Sequence, residues 1–166
     1  MLTQAELKSI LHYNPETGIF TWAKSRRVKI GSIAGHVDKN NSYIRISIRC
    51  KLYQAHRLAW LYIYGELPTY HIDHINRVRH DNRIHNLREA THSQNLLNAS
   101  IRSNNTSGFK GVIWHNLVGQ WLARATVHGK RVRLGYFATA KEASIAYEHF
   151  CKHNHGKFYC DSTLNN

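Results

Sequence analysis

The chain is short of acidic residues, of paired cysteines and of long apolar runs, and each shortage removes a class of protein. Asp and Glu number 10 against 23 Lys and Arg in 166 residues, a formal net charge of +13 with histidine neutral. Such an excess favours a polyanion as partner, because each neutralised phosphate releases condensed counterions. On charge alone, a basic domain with an ordinary solvated surface stays open. Cys50, Cys151 and Cys160 are odd in number and lack the Cys-x-x-Cys spacing of a structural zinc site, so none is expected. No apolar run approaches the ~20 residues of a spanning helix, and no basic amphipathic helix stands out, so a membrane partner is not expected. The first six residues carry no charged-then-apolar signal pattern. A reducing, cytoplasmic setting is the expectation. The 13 histidines are mostly scattered, and a lone histidine is more often a surface or hydrogen-bonded residue than a metal ligand.

What is present supports folded structure. Hydrophobic residues make up 42% of the chain, and 166 residues suffice for one ordinary domain or two small ones. Thr3 and Glu6 form a capping-box pair that opens a helix read over 3–13. The turn cluster Asn14-Pro15-Glu16-Thr17-Gly18 precedes strands at 19–22 and 43–49. Arg26, Arg27 and Lys29 lie between those strands, in a solvated loop or against a nucleic-acid backbone. A helix follows over 55–62, bounded by Gly65 and Pro68. Residues 70–100 read as strand, loop, strand, helix, with Thr91 as the helix cap and Asn95 in the first turn. A polar linker over 101–107 leads to strands at 109–115, 120–127 and 130–137, the last two joined by His128-Gly129. Thr139 and Glu142 box the start of a helix whose Ala143, Ala146, Tyr147 and Phe150 form one stripe.

The chemistry-bearing stretch is His71-Ile-Asp73-His74, followed by Asp81-Asn82-Arg83, Asn86-Leu-Arg88 and Asn95. Hydrolysing a phosphodiester needs a base for water and a cation for the phosphate and leaving oxygen. Neighbouring strand residues point to opposite faces, so Asp73 and His74 could serve the two sides of one phosphate. His74 would take the proton, its ordinary pKa of ~6.5 lying near working pH. Asp73 would hold a hard, oxygen-bound ion largely completed by water and phosphate, which suits Mg²⁺, with Mn²⁺ as substitute. A single Asp-His pair in a loop is also a common structural feature.

These residues resemble the HNH nuclease signature, in the branch found in phage homing endonucleases where asparagines replace the later histidines. The intervals from His74 to Asn86, twelve residues, and to Asn95, twenty-one, match that branch. The resemblance implies His74 as general base and Asp73 and Asn95 as metal ligands. It implies that Asn86 bridges the two strands and orients the catalytic loop, that Asn82 sits in the turn, and that Arg88 contacts a phosphate. Gly18-x-Phe20-x-Trp22 and His56-Arg57-Leu58-Ala59-Trp60 extend the likeness over roughly residues 1–100, with the nuclease core at about 70–100. The Cys-x-x-Cys pairs of many relatives are missing, so the structural zinc is not carried over.

In the last third, Trp121, Ala123, Ala125 and Val127 share one strand face, with Leu122, Arg124, Thr126 and His128 on the other. Val132 and Leu134 lie opposite Arg131 and Arg133. One face suits packing on a helix; the other is small, polar and basic, suited either to a DNA groove or to water. Ser107-Gly-Phe-Lys-Gly-Val, Gln120-Trp-x-Ala and Gly129-Lys-Arg-Val-Arg-Leu-Gly-Tyr-Phe resemble the Apetala-2 DNA-binding domain, as does Thr139-Ala-x-Glu-Ala-x-x-Ala-Tyr. This likeness covers 108–160 and implies Lys110, Arg124, Thr126, Arg131 and Arg133 as DNA contacts. Ile113 and His115 stand where relatives often carry arginine, Arg124 replaces an acid, and Arg133 replaces tryptophan, so the target site does not transfer.

The expected fold is α+β: a ββα-metal nuclease unit with an N-terminal α/β region, plus a three-stranded antiparallel sheet packed on one helix. The expected function is a metal-dependent endonuclease of double-stranded DNA, in the manner of a free-standing phage homing enzyme with no obligate protein partner. The alternative is a non-catalytic, sequence-specific DNA-binding regulator using the HNH unit as scaffold. An RNA-binding sheet fits less well, because the outward positions carry Arg and Thr instead of exposed aromatics.

Overall fold

The computed structural model describes residues 2–25, 27–99, 101, 104–127, 129–155 and 158. Arg26, the turn residue His128, linker residues Arg102 and Ser103, and Cys160 lie outside the described residues. The fold is mixed α and β, with four helices and small antiparallel sheets among the described residues. Two compact units form, Met1–Thr91 and His92–Asn166.

In the first unit α1 spans Gln4–Ile10, opened by reciprocal bonds between Thr3 and Glu6. The helix read over 3–13 is therefore too long. Leu11 is already extended, and β1 (Leu11–Asn14) pairs antiparallel with β2 (Ile19–Trp22), placing Tyr13 opposite Phe20. Leu11 and Tyr13 are buried with His12 and Asn14 exposed, a period of two that only a strand satisfies. Asn14 Oδ1 closes the turn by accepting from the backbone N–H groups of Glu16 and Thr17.

A three-stranded sheet follows, with order β3 (His36–Val37), β4 (Ile44–Ile48), β5 (Lys51–Gln54). The β4–β5 turn consists of Arg49 and Cys50, both at positive φ (50° and 62°). That is the mirror-image hairpin turn that usually recruits Asn-Gly or Asp-Gly. Without those residues the turn leaves no sequence signature, so β5 is not foreseen, and the strand expected over 43–49 spans Ile44–Ile48. α2 (Ala55–Tyr64) stops at Gly65, whose φ of 86° ends the helix in the left-handed region. Its Leu58, Ala59 and Leu61 join Leu7, Leu11, Ile46, Ile72 and Leu87 in one core. That core underlies the antiparallel pair β6 (His71–His74) and β7 (Leu87–Ala90).

The second unit holds α3 (His92–Asn98), a sheet of order β10-β9-β8, and α4 (Ala140–His155). The strands are β8 (Val112–His115), β9 (Gln120–Val127) and β10 (Lys130–Phe137). β8 begins three residues later than read, because Gly108 and Gly111 both adopt positive φ and turn the chain there. Thr139 and Glu142 cap α4 reciprocally. Ala143, Tyr147 and Cys151 of α4 bury against Val112, Ala123 and Ala125 of the sheet. No helix among the described residues is long and apolar enough to cross a membrane.

Gly111 is the tightest point of this packing. A Cβ there would lie 2.2 Å from the Tyr147 ring and 2.8 Å from the Arg124 carbonyl, on a backbone at φ +69°. Left-handed strain of ~1–2 kcal/mol and overpacking of ~1–3 kcal/mol act together. Gly111→Ala should lower the melting temperature of the sheet-bearing unit by many degrees, read by calorimetry. An unchanged transition would contradict the packing described.

Candidate active site

The β6–β7 pair sets the first unit's polar cluster. Register places Asp73 opposite Arg88 and His74 opposite Leu87. Asp73 is 4% exposed, and its Oδ2 accepts from Arg88 Nε at 2.8 Å and pairs with a terminal guanidinium nitrogen at 2.7 Å. Arg88, read above as a phosphate contact, is paired here with the Asp73 carboxylate. Breaking so buried a pair costs ~3–5 kcal/mol, because the remaining charge is left uncompensated.

His74 faces a different set of partners. It is 3% exposed, and its Nε2 lies 3.3 Å from Asn82 Oδ1. Burial lowers its pKa below the ordinary value; the Asn82 bond and the charges of Asp73 and Asp81 pull the other way. The balance keeps the imidazole neutral near pH 7. A carbonyl oxygen can only accept, so Nε2 carries the proton and the basic lone pair sits on Nδ1. The His56 ring meets His74 edge-on at 5.2 Å, and Tyr43 lies 5.1 Å from His56 and 5.8 Å from His74.

The loop between the two strands is tied by amides. Asn86, 5% exposed, accepts from Asn76 N–H at 3.0 Å and donates to the Asp81 carbonyl at 2.8 Å, so one side chain spans the loop. Backbone bonds from Ile75 N–H to Asn86 O and from Asn86 N–H to Arg83 O close the same ring. Asp81 holds Arg83 through both carboxylate oxygens and accepts from Asn76 Nδ2, and the Arg83 bonds pull its pKa down to about 2. Asn82 is 1% exposed.

The remaining predicted residues lie in the second unit. Asn95 is the fourth residue of α3. Lys110 donates to the Leu97 carbonyl at 3.0 Å, which ties it to the C-terminal turn of that helix. Arg124 and Thr126 on β9 pair across the ladder with Arg133 and Arg131 on β10, and all four are exposed. They form a two-by-two block on the sheet face away from α4. Sequence reasoning missed His56, Tyr43 and Tyr13, because aromatic contacts across 18 to 69 residues leave no local pattern.

Comparison with known proteins bears on this loop and its two strands. Residues 53–97 match the HNH endonuclease family. The domain so marked runs from β5 through α2, β6 and β7 into α3, and contains Asp73, His74, Asn82, Asn86, Arg88 and Asn95. The chain is also similar to Protein 3.8 of Escherichia phage T7, 33% identical over 79 residues, 47% of this chain and 65% of that protein. The match therefore covers a little under two thirds of that phage relative. No solved structure matches the chain.

His56 gives the HNH domain a pH signature. It is 5% exposed, its Nδ1 has no hydrogen-bond partner, and burial, then His74 and Arg57, lower its pKa to about 3. Above the unfolded value of ~6.5 neither state binds the proton; below it only the unfolded chain does. Stability should therefore fall from pH ~6.5 towards pH ~3, with a slope approaching ~1 kcal/mol per pH unit. His56→Phe, compared with wild type by urea unfolding across that window, should flatten the slope. Parallel curves would refute the assignment.

Proposed function

We propose that the protein is a metal-dependent DNA endonuclease in which the HNH domain hydrolyses a phosphodiester bond and the basic sheet holds the duplex. The observation that carries this reading is a neutral, buried imidazole beside a buried carboxylate, inside the segment that matches the HNH endonuclease family. Asn82 fixes the tautomer, so Nδ1 of His74 accepts the proton of the attacking water. Asn86 keeps the 75–86 loop closed and holds Asn76 and Asp81 in register. Asp73 would hold Mg²⁺ or Mn²⁺ through oxygen, with water and phosphate completing its coordination, and Asn95 is the second ligand that the HNH resemblance implies. Arg88 Nε and a terminal guanidinium nitrogen fall on Oδ2 of Asp73, so a cation held by that carboxylate would share it with a guanidinium. The ion supplies Lewis-acid stabilisation of the phosphate and leaving oxygen.

Residues 1–100 form the nuclease portion in this reading, 101–107 the linker, and 108–160 an Apetala-2-type reader using Arg124, Thr126, Arg131 and Arg133. A net charge of +13 supports a duplex DNA partner. The similarity to a phage protein supports a phage setting, and in this reading the enzyme is a free-standing homing endonuclease acting in the cytoplasm of a host cell. The Asp73–Arg88 pair favours one rival: a DNA-binding regulator in which this carboxylate serves only to fix β6 on β7.

A cleavage assay separates the two. His74→Ala should slow cutting by ~10²–10⁴, the usual contribution of a general base, with DNA affinity held within a few-fold. Chelation should abolish cutting, Mg²⁺ or Mn²⁺ should restore it, and Asp73→Asn should mimic chelation. Cutting by His74→Ala at the wild-type rate refutes the base assignment, and no cutting by wild type under any divalent ion favours the regulator.

The sheet has its own test. Arg131→Ala or Arg133→Ala should weaken binding, and the pattern across sequences and salt tells how. Loss of a bidentate base contact removes ~1–3 kcal/mol of discrimination at one position. Loss of a phosphate contact weakens all sequences alike and lowers the salt slope by about one. If both variants bind every sequence as wild type does, the sheet is not the reader.

A further inference from the structure

The β1–β2 hairpin lies wholly before the segment that matches the HNH family, yet it touches three consecutive residues of the loop that serves His74. The Tyr13 hydroxyl donates to the Asn82 carbonyl at 2.7 Å in a buried bond. Gly18, at φ +72°, sits so close that a Cβ would lie 2.6 Å from the Asn82 carbonyl carbon and 2.5 Å from the Arg83 nitrogen. Pro15 O accepts from Ile84 N–H at 3.1 Å. Backbone meets backbone here, without a flexible side chain to absorb movement.

The hairpin is itself rigid. Tyr13 is 2% exposed and its ring packs on Phe20 at 4.6 Å and on Tyr62 at 5.6 Å. Burial pushes its phenol pKa up, so the hydroxyl stays a donor at any working pH. Asn82, held at its carbonyl, turns its Oδ1 to His74 Nε2 and its amide nitrogen to the His80 carbonyl at 3.4 Å. The segment 82–83 precedes a single 3-10 turn at Ile84–Asn86 and has no regular ladder of its own. Bonds within the loop hold it to Asp81, His80 and Asn86, and the hairpin adds the contacts that reach it from outside.

We propose that the N-terminal hairpin is a positioning element for the general base, with Tyr13 and Gly18 acting through Asn82 to hold the His74 imidazole in its reactive tautomer and orientation. This rests on the reading of His74 as the base. The physical requirement is narrow, since displacement of a reacting group by about 1 Å costs on the order of a hundredfold in rate. Removing the Tyr13 hydroxyl frees the carbonyl that anchors Asn82 and loosens a side chain that selects the tautomer.

Tyr13→Phe tests this in the full-length protein, since the ring and its packing remain. The expected result is a fall in kcat of about tenfold or more at a temperature well below melting, with KM and DNA affinity unchanged within about twofold. Imidazole nitrogen NMR should show His74 moving from one tautomer to a mixture, a change that mere loss of stability does not cause. Action through Asn82 also requires non-additivity: Tyr13→Phe combined with Asn82→Ala should cut no more slowly than Asn82→Ala alone. Gly18→Ala should fall further than Tyr13→Phe; if it does not fold, the Tyr13→Phe series carries the test. A wild-type kcat in Tyr13→Phe, or rate losses that multiply in the double variant, overturns the positioning role and leaves His74 as base. Wild-type cutting by both His74→Ala and Asn82→Ala overturns the base assignment, and the positioning role with it.

Discussion

The HNH domain of this protein depends on one buried amide. Asn82 is covered to 99%, lies outside regular secondary structure, and still bonds through its carbonyl, its Oδ1 and its Nδ2. Leaving such a group unpaired costs ~1–3 kcal/mol for each bond lost. That penalty is what turns an irregular loop into a rigid one. The imidazole it faces is buried as well, so the tautomer is set by the protein and not by water.

Charge is arranged along the same principle. Four acids of the described residues are paired with arginine: Asp73 with Arg88, Asp81 with Arg83, Asp38 with Arg45 and Glu6 with Arg49. The exposed Glu6–Arg49 pair adds little, as surface ion pairs contribute ~0–1 kcal/mol. The Asp73–Arg88 pair is different, because both partners are largely shielded and neither can be removed alone without stranding the other. With the acids so engaged, Arg124, Arg131 and Arg133 remain exposed on the sheet.

Much of the architecture was legible because its signals are local. The capping boxes of Thr3 with Glu6 and Thr139 with Glu142 formed at the residues that announced them, and β9 and β10 run over the stretches their alternation marked. The stripe of Ala143 and Tyr147 on α4 buries against Ala123 and Ala125 as the helical period requires. Leu11–Tyr13 was misread as helix because these residues continue the amphipathic pattern of α1, and only pairing with Phe20–Trp22 distinguishes strand from helix. β5 was invisible because Arg49 and Cys50 make a turn normally left to glycine and asparagine.

By itself the sequence determined which candidate residues stand together: Asp73 and His74 on one short strand, with asparagines following at loop spacing. The tertiary structure decided what each one does to its neighbours. It gave Arg88 to Asp73, set His56 against His74, and brought Tyr13 and Gly18 onto Asn82 from 69 and 64 residues away in the chain. Periodicity and caps are written within a turn or two of backbone, so they can be read from order alone. Contacts between backbones this far apart follow from how the hydrophobic core closes, and only the folded chain brings them together.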